Sequence, residues 1–172
     1  MWDTKRILIE LADAPRRRAI LSTFWKTAEG PAKTLTTAQL AKALHFREET
    51  IRKMPLEKKA DLLAGRAGAR EFEQAFETAL IAYHTNAQAP MLSAFLDAWQ
   101  IPHVNGSIEV DDYKAPTEAE VRSAVGSLSD YDKRDVAIYL ATAGLMMGPE
   151  WRDSCWPVVD ELAKELASED KR

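Results

Sequence analysis

Disulfide chemistry is the first thing this sequence lacks. Cys155 is its only cysteine, so no intramolecular disulfide can form and nothing marks an oxidising compartment. Long apolar runs are missing too. The uncharged stretch 136–149 is 14 residues, short of the roughly 20 that span a bilayer. Residues 1–11 carry charge at Asp3, Lys5, Arg6 and Glu10 and hold no apolar segment of the signal-peptide kind. A cytoplasmic location with no membrane partner is the expectation. Compact catalytic signatures are absent as well: no glycine-rich phosphate loop, no His-Glu-x-x-His, no Cys-x-x-Cys and no Gly-x-Ser-x-Gly occurs. No cofactor, metal ligand or catalytic residue is therefore expected.

What is present suits a folded core. The chain is 46% apolar and 29% charged, unlike the low hydrophobicity and high net charge of disordered segments. At 172 residues the default is one domain, 1–172. The net charge of -4 conceals a division, since residues 1–70 hold 15 Lys and Arg against 8 Asp and Glu, while residues 71–172 hold 8 against 19. This puts a sub-boundary near 66–69, between a basic N-terminal part and an acidic C-terminal part. Two solvated faces that differ in composition would explain the division, as would a basic end for an anionic partner.

Pro and Gly fall where helix starts and stops would put them, and helix-period runs fill the gaps. Helices are expected over 4–12, 15–29, 36–44, 47–53, 55–65, 69–87, 90–99, 117–128, 129–147 and 150–168. Thr36 with Gln39 and Thr117 with Glu120 have capping-box spacing, and Ser129 is the expected cap of its helix. Leu92, Phe95, Leu96 and Trp99 form one apolar stripe, and Trp151, Cys155, Val158, Val159, Leu162 and Leu166 another. The fold class is all-α, a bundle of about ten helices with one long loop or small hairpin at 101–115. A faint echo at about 60 residues, from Pro55 and Tyr83 to Pro116 and Tyr139, allows two repeated helical units.

Residues 36–53, Thr-Thr-Ala-Gln-Leu-Ala-Lys-Ala-Leu-His-Phe-Arg-Glu-Glu-Thr-Ile-Arg-Lys, carry Leu40, Ala41, Leu44, Phe46 and Ile51 where two short helices need apolar or small residues to cross steeply. The stretch resembles the helix-turn-helix segment of bacterial repressors. That resemblance implies nucleic-acid contacts from Arg47, Thr50, Arg52 and Lys53. It departs from the pattern at the turn, where His45 replaces the usual Gly, and at Glu48 and Glu49, whose carboxylates repel phosphate. Arg16, Arg17 and Arg18 add a short basic cluster.

Residues 95–109, Phe-Leu-Asp-Ala-Trp-Gln-Ile-Pro-His-Val-Asn-Gly-Ser-Ile-Glu, resemble a stretch found in uncharacterised bacterial helical proteins, a likeness that brings no activity with it. Read physically, Asn105-Gly106 is a strong turn signal because both residues tolerate positive φ. The linker between Trp99 and Thr117 is longer than the two to eight residues usual between packed helices. His103, Asn105, Glu109, Asp111, Asp112 and Tyr113 are its candidate binding residues, although Glu109, Asp111 and Asp112 lack the ligand pattern of an EF-hand loop. In a structural reading, Ile101, Val104, Ile108 and Val110 tuck the same loop over the core. A lone histidine such as His84 or His103 is ordinarily structural, and Cys155 on its stripe behaves as a small hydrophobe.

Three functions are compatible with these residues. The first is a non-enzymatic helical module, an adaptor or regulator, that binds another protein. The second is a nucleic-acid-binding regulator using residues 36–53. The third is an enzyme with a pocket near His84 and His103.

Overall fold

The computed structural model describes residues 1–171. It is 73% helical, and its only sheet among the described residues is a two-stranded antiparallel ribbon, so the all-α expectation holds. No described helix is long and apolar enough to cross a membrane. The chain divides into two compact units, Asp13–Tyr83 and a split unit of Met1–Ala12 with His84–Arg172. Residues 66–69 form the turn inside the Asp13–Tyr83 unit, between its fourth helix and a 3-10 turn. Charge follows the units. The Asp13–Tyr83 unit holds 13 Lys and Arg against 9 Asp and Glu, net +4, and the split unit 10 against 18, net -8.

After α1 (Thr4–Arg6), which belongs to the split unit, the Asp13–Tyr83 unit contains α2 (Ala14–Thr27), α3 (Gly30–Leu44), α4 (Glu48–Lys53), α5 (Leu56–Ala64), a 3-10 turn (Arg70–Phe72) and α6 (Glu73–Ala82). Asp13 caps α2, its Oδ1 accepting from Arg16 N at 3.0 Å. Helix α2 packs on α5 and α6, burying Ile20, Leu21 and Phe24 with Leu63, Phe76 and Leu80. The basic cluster is partly consumed within the unit. Arg16 pairs with Asp13 at 2.7 Å, and Arg18 forks onto both oxygens of Asp61 on α5 at 2.9 Å.

The expected helix start at Thr36 does not exist. Helix α3 begins at Gly30, with Glu29 at the cap position and Pro31 in the first turn. Proline there fixes φ and gives up an N–H that has no helical partner in any case. Thr36 is buried in the helix interior. The expected helix over 69–87 is likewise three pieces: the 3-10 turn, α6 and a π-turn, Tyr83–Ala87.

In the split unit, α1 (Thr4–Arg6) runs into a π-turn (Ile7–Leu11), and the rest comprises α7 (Ala89–Ala98), β1 (His103–Val104), β2 (Ser107–Ile108), α8 (Glu118–Ser127), α9 (Lys133–Met146) and α10 (Pro149–Glu169). The nine residues from Val136 to Gly144 are all buried, which makes α9 a helix enclosed on every side. Helix α10 packs on α9 and α8, and the π-turn packs on α9. Trp2 Nε1 donates to Asp160 Oδ1 at 3.0 Å, tying the first residues to α10. The capping box of α8 is complete: Thr117 Oγ1 accepts from Glu120 N, and Glu120 Oε2 accepts from Thr117 N at 2.7 Å. Ser129 is not the cap of α9. Asp132 is, its carboxylate accepting from Arg134 N at 2.8 Å, because the chain after Leu128 makes a further turn before the helix starts.

Candidate functional site

The linker between α7 and α8 is built in stages. Gln100 takes a left-handed φ of 55°, Ile101 N donates to Leu96 O and Gln100 N to Asp97 O, the paired bonds of a Schellman motif. The buried Ile101 then directs the chain back across α7. Asn105 and Gly106 follow with φ of 50° and 86°, the two positive values a two-residue type I′ turn requires. Strand register pairs His103 with Ile108 and Val104 with Ser107. A Cβ on Gly106 would meet Leu92 Cδ2 at 2.8 Å, so the turn lies hard against α7.

His103 fastens this hairpin. Its Nδ1 accepts from Gly106 N at 3.0 Å, and its Nε2 lies 3.1 Å from Asp97 Oδ1 on α7. Since Nδ1 is an acceptor, the neutral ring carries its proton on Nε2 and donates it to Asp97. The imidazole side chain is 11% exposed, with both nitrogens engaged. A general base needs a nitrogen facing the reacting proton, and this ring offers none. Tyr113 is half-buried, its ring edge-on to Trp151 at 6.3 Å. Trp151 meets Trp99 at 5.5 Å, Trp99 stacks near Tyr139, and Tyr139 meets His84 at 5.4 Å.

The six candidate binding residues of the loop thus separate. His103 and Tyr113 hold the loop's shape. Asn105, Glu109, Asp111 and Asp112 are exposed, and on the same loop Val104 is 59% exposed. Glu109, Asp111 and Asp112 make no ion pair among the described residues, whereas other carboxylates of the same unit do: Glu10 with Arg6, Glu118 and Glu161 with Arg122, Glu165 and Glu169 with Lys133.

His84 lies in the core, 4% exposed, and burial pushes its pKa down to about 3. Its ring meets Tyr139 in the core, whereas the His103 ring faces Asp97 and Gly106 in the hairpin. No group of three or more His, Cys, Asp or Glu among the described residues is placed to hold a metal ion. Cys155 is buried, and its thiol is pushed up to about 11 by desolvation, against a weak opposing hydrogen bond from Ser154. That leaves little thiolate for nucleophilic chemistry.

In the Asp13–Tyr83 unit, residues 36–53 form a helical hairpin whose first arm is the second half of α3. His45 adopts φ 55°, and Phe46 N closes the turn onto Ala41 O, so the imidazole-bearing residue performs the left-handed role ordinarily given to glycine. Arg47 stands at the N-cap position of α4 without a side-chain capping bond, and Thr50 is exposed. Arg52 pairs with Glu48 at 2.8 Å and Lys53 with Glu49 at 3.1 Å. Four ionic groups on one six-residue helix therefore cancel.

The same unit contains a cleft of about 340 Å³ that local sequence reading passes over. Its walls come from the start and middle of α3 and from residues 71–78, including Thr36 and Gln39, whose spacing reads equally well as a capping box. The chain matches no protein-family model, no curated protein and no solved structure.

Proposed function

We propose that this chain is a non-enzymatic binding protein that engages another protein, one presenting a basic surface, through the loop over 101–115. The observation that carries this reading is that Glu109, Asp111 and Asp112 make no ion pair among the described residues, on a loop whose hairpin His103 fastens. These exposed carboxylates share their loop with an exposed Val104, so the loop offers a partner acidic and apolar contacts together, and charge complementarity steers and orients association. A pre-shaped hairpin also lowers the ordering cost of association. The two candidate histidines, His84 and His103, support the non-enzymatic reading, since the first is sealed in the core and the second has both nitrogens occupied.

The test is capture by the immobilised full-length chain from a lysate of its own source. A variant carrying Val104→Asn, Asp111→Asn and Asp112→Asn should retain its thermal midpoint and lose the partner recovered stoichiometrically by the wild type. Recovery of the same proteins by both chains would sink the reading. A second reading, duplex binding through residues 36–53, is favoured by the left-handed turn at His45 and opposed by the ion pairs on α4.

A further inference from the structure

We propose that the cleft of the Asp13–Tyr83 unit binds a primary ammonium group carried on a short aliphatic chain. At about 340 Å³ the cleft lies at the small end of the range for ligand sites. Its apolar lining includes Phe24, Ala75 and Leu35. Leu35 is left 54% exposed, as a side chain awaiting an aliphatic neighbour would be. The same cleft is lined by two carboxylates, Glu29 and Glu71, and two carboxamides, Gln39 and Gln74. Glu29 occupies the cap position of α3, yet its side chain makes no capping hydrogen bond. No Lys or Arg lines the cleft, although the unit carries 13 of them. A locally acidic hollow inside a net basic unit selects cations and rejects anions.

Thr36 supplies an independent observation. It is 3% exposed and forms part of the cleft wall. Helical threonines commonly return the hydroxyl to the carbonyl four residues back, as Thr78 does to Gln74 O and Thr142 to Ile138 O, each at 2.7 Å. The Thr36 hydroxyl makes no such bond among the described residues, nor is it among the polar atoms sealed from solvent without a partner. It therefore opens on the cleft with its hydrogen-bonding capacity unspent, and a nearly buried polar group in that state is completed by water or by a ligand. An ammonium ion has three donors and no acceptor. The Thr36 oxygen, the carboxylates and the carboxamide oxygens are all acceptors, and the ligand's methylene groups would cover Leu35. The same chemistry arises from a free alkylamine or from a lysine side chain of another protein.

The experiment is a ¹H–¹⁵N titration of the full-length chain with 1,4-diaminobutane and, separately, with Nα-acetyl-lysine methylamide, using 1-pentanol and pentanoate as neutral and anionic controls. Saturable shifts confined to amides around Leu35, Gln39 and Gln74 are expected with at least one amine. Saturation by diaminobutane points to a free amine, and saturation by the lysine derivative alone points to a protein side chain. Glu29 and Glu71 are exposed, so Glu29→Gln with Glu71→Gln keeps the fold and should weaken binding by about tenfold or more. Thr36→Val tests the hydroxyl separately and should weaken binding about threefold. Shifts that stay linear with concentration, an equal response to pentanol, or affinity unchanged in the double variant would overturn the proposal. The 101–115 loop belongs to the other unit, so loss of partner capture there leaves this result untouched.

Discussion

The Cβ that Gly144 lacks would sit 2.5 Å from Nε1 of Trp156, where α9 packs on α10. The indole cannot easily swing away, since its N–H points to Ala141 O at 3.4 Å and the Arg152 guanidinium covers its ring at 4.9 Å. Arg152 Cα backs the same space at 3.3 Å. In an open helix, Gly→Ala would gain about 1 kcal/mol of propensity. Here overpacking should reverse the sign, and Gly144→Ala should lose about 1–2 kcal/mol net in urea unfolding. A more stable variant would show that Trp156 repacks freely.

The residues of the 101–115 loop should divide by mutation as they divide by contact. His103→Ala removes the acceptor of Gly106 N–H and the partner of Asp97, and should cost about 1–2 kcal/mol. Amide exchange at Gly106 should accelerate with it. Asp111→Ala with Asp112→Ala touches no hydrogen bond and should stay within about 0.5 kcal/mol of the wild type. Equal losses from the two variants would mean that the carboxylates also hold the loop.

Features carried by neighbours in the chain were legible in advance. The capping box of Thr117 and Glu120 closes within four residues, and Asn105-Gly106 needs only its own two φ angles, so local chemistry decides both. Thr36 and Gln39 offer the same spacing as that capping box but lie inside α3, where burial against the rest of the unit decides. Ser129 and Asp132 are both good caps, and their spacing could not rank them. The π-turns at Ile7–Leu11 and Tyr83–Ala87 interrupt segments whose apolar pattern is helical throughout. In the loop, the sequence offers its polar candidates only as residue types, and nothing local reveals that His103 spends both nitrogens on Asp97 and Gly106, or that Tyr113 meets Trp151, 38 positions away. The cleft was invisible for the same reason: its walls are about 35 positions apart in sequence.

Burial of His84 makes stability depend on pH. Its folded-state pKa of about 3 lies below the ordinary value near 6.5, so the unfolded chain binds this proton first as pH falls. The stability is complete above about pH 6.5 and is lost on acidification toward pH 3, with a slope approaching about 1.4 kcal/mol per pH unit. Glu10 and Glu161, held low by Arg6 and Arg122, act in the same direction only below the ordinary carboxylate range. Comparing wild type with His84→Phe between pH 7 and 5 therefore isolates the imidazole. The difference in unfolding free energy should shift by about 2 kcal/mol toward the variant. A pH-independent difference would show that the imidazole gains solvent or a proton in the native state.

The α3–α4 hairpin should bind duplex DNA weakly, for a reason the ion pairs supply. Counterion release needs several cations free to meet phosphates. Helix α4 holds Glu48 and Glu49 against Arg52 and Lys53, and only Arg47 at its cap adds to the balance. The pairs themselves are exposed and worth little to stability, so their role is to cancel the field at the tip a recognition helix would present. Fluorescence anisotropy with a random duplex should show weak binding with a shallow dependence on salt between 50 and 200 mM. Glu48→Gln with Glu49→Gln frees Arg52 and Lys53 on the same scaffold, and should both tighten binding and steepen the salt slope by about two units. The wild type could instead bind tightly and steeply and lose that binding in Arg47→Ala with Arg52→Ala. The carboxylates would then be tolerated at the interface, and duplex recognition would become the better account of this unit.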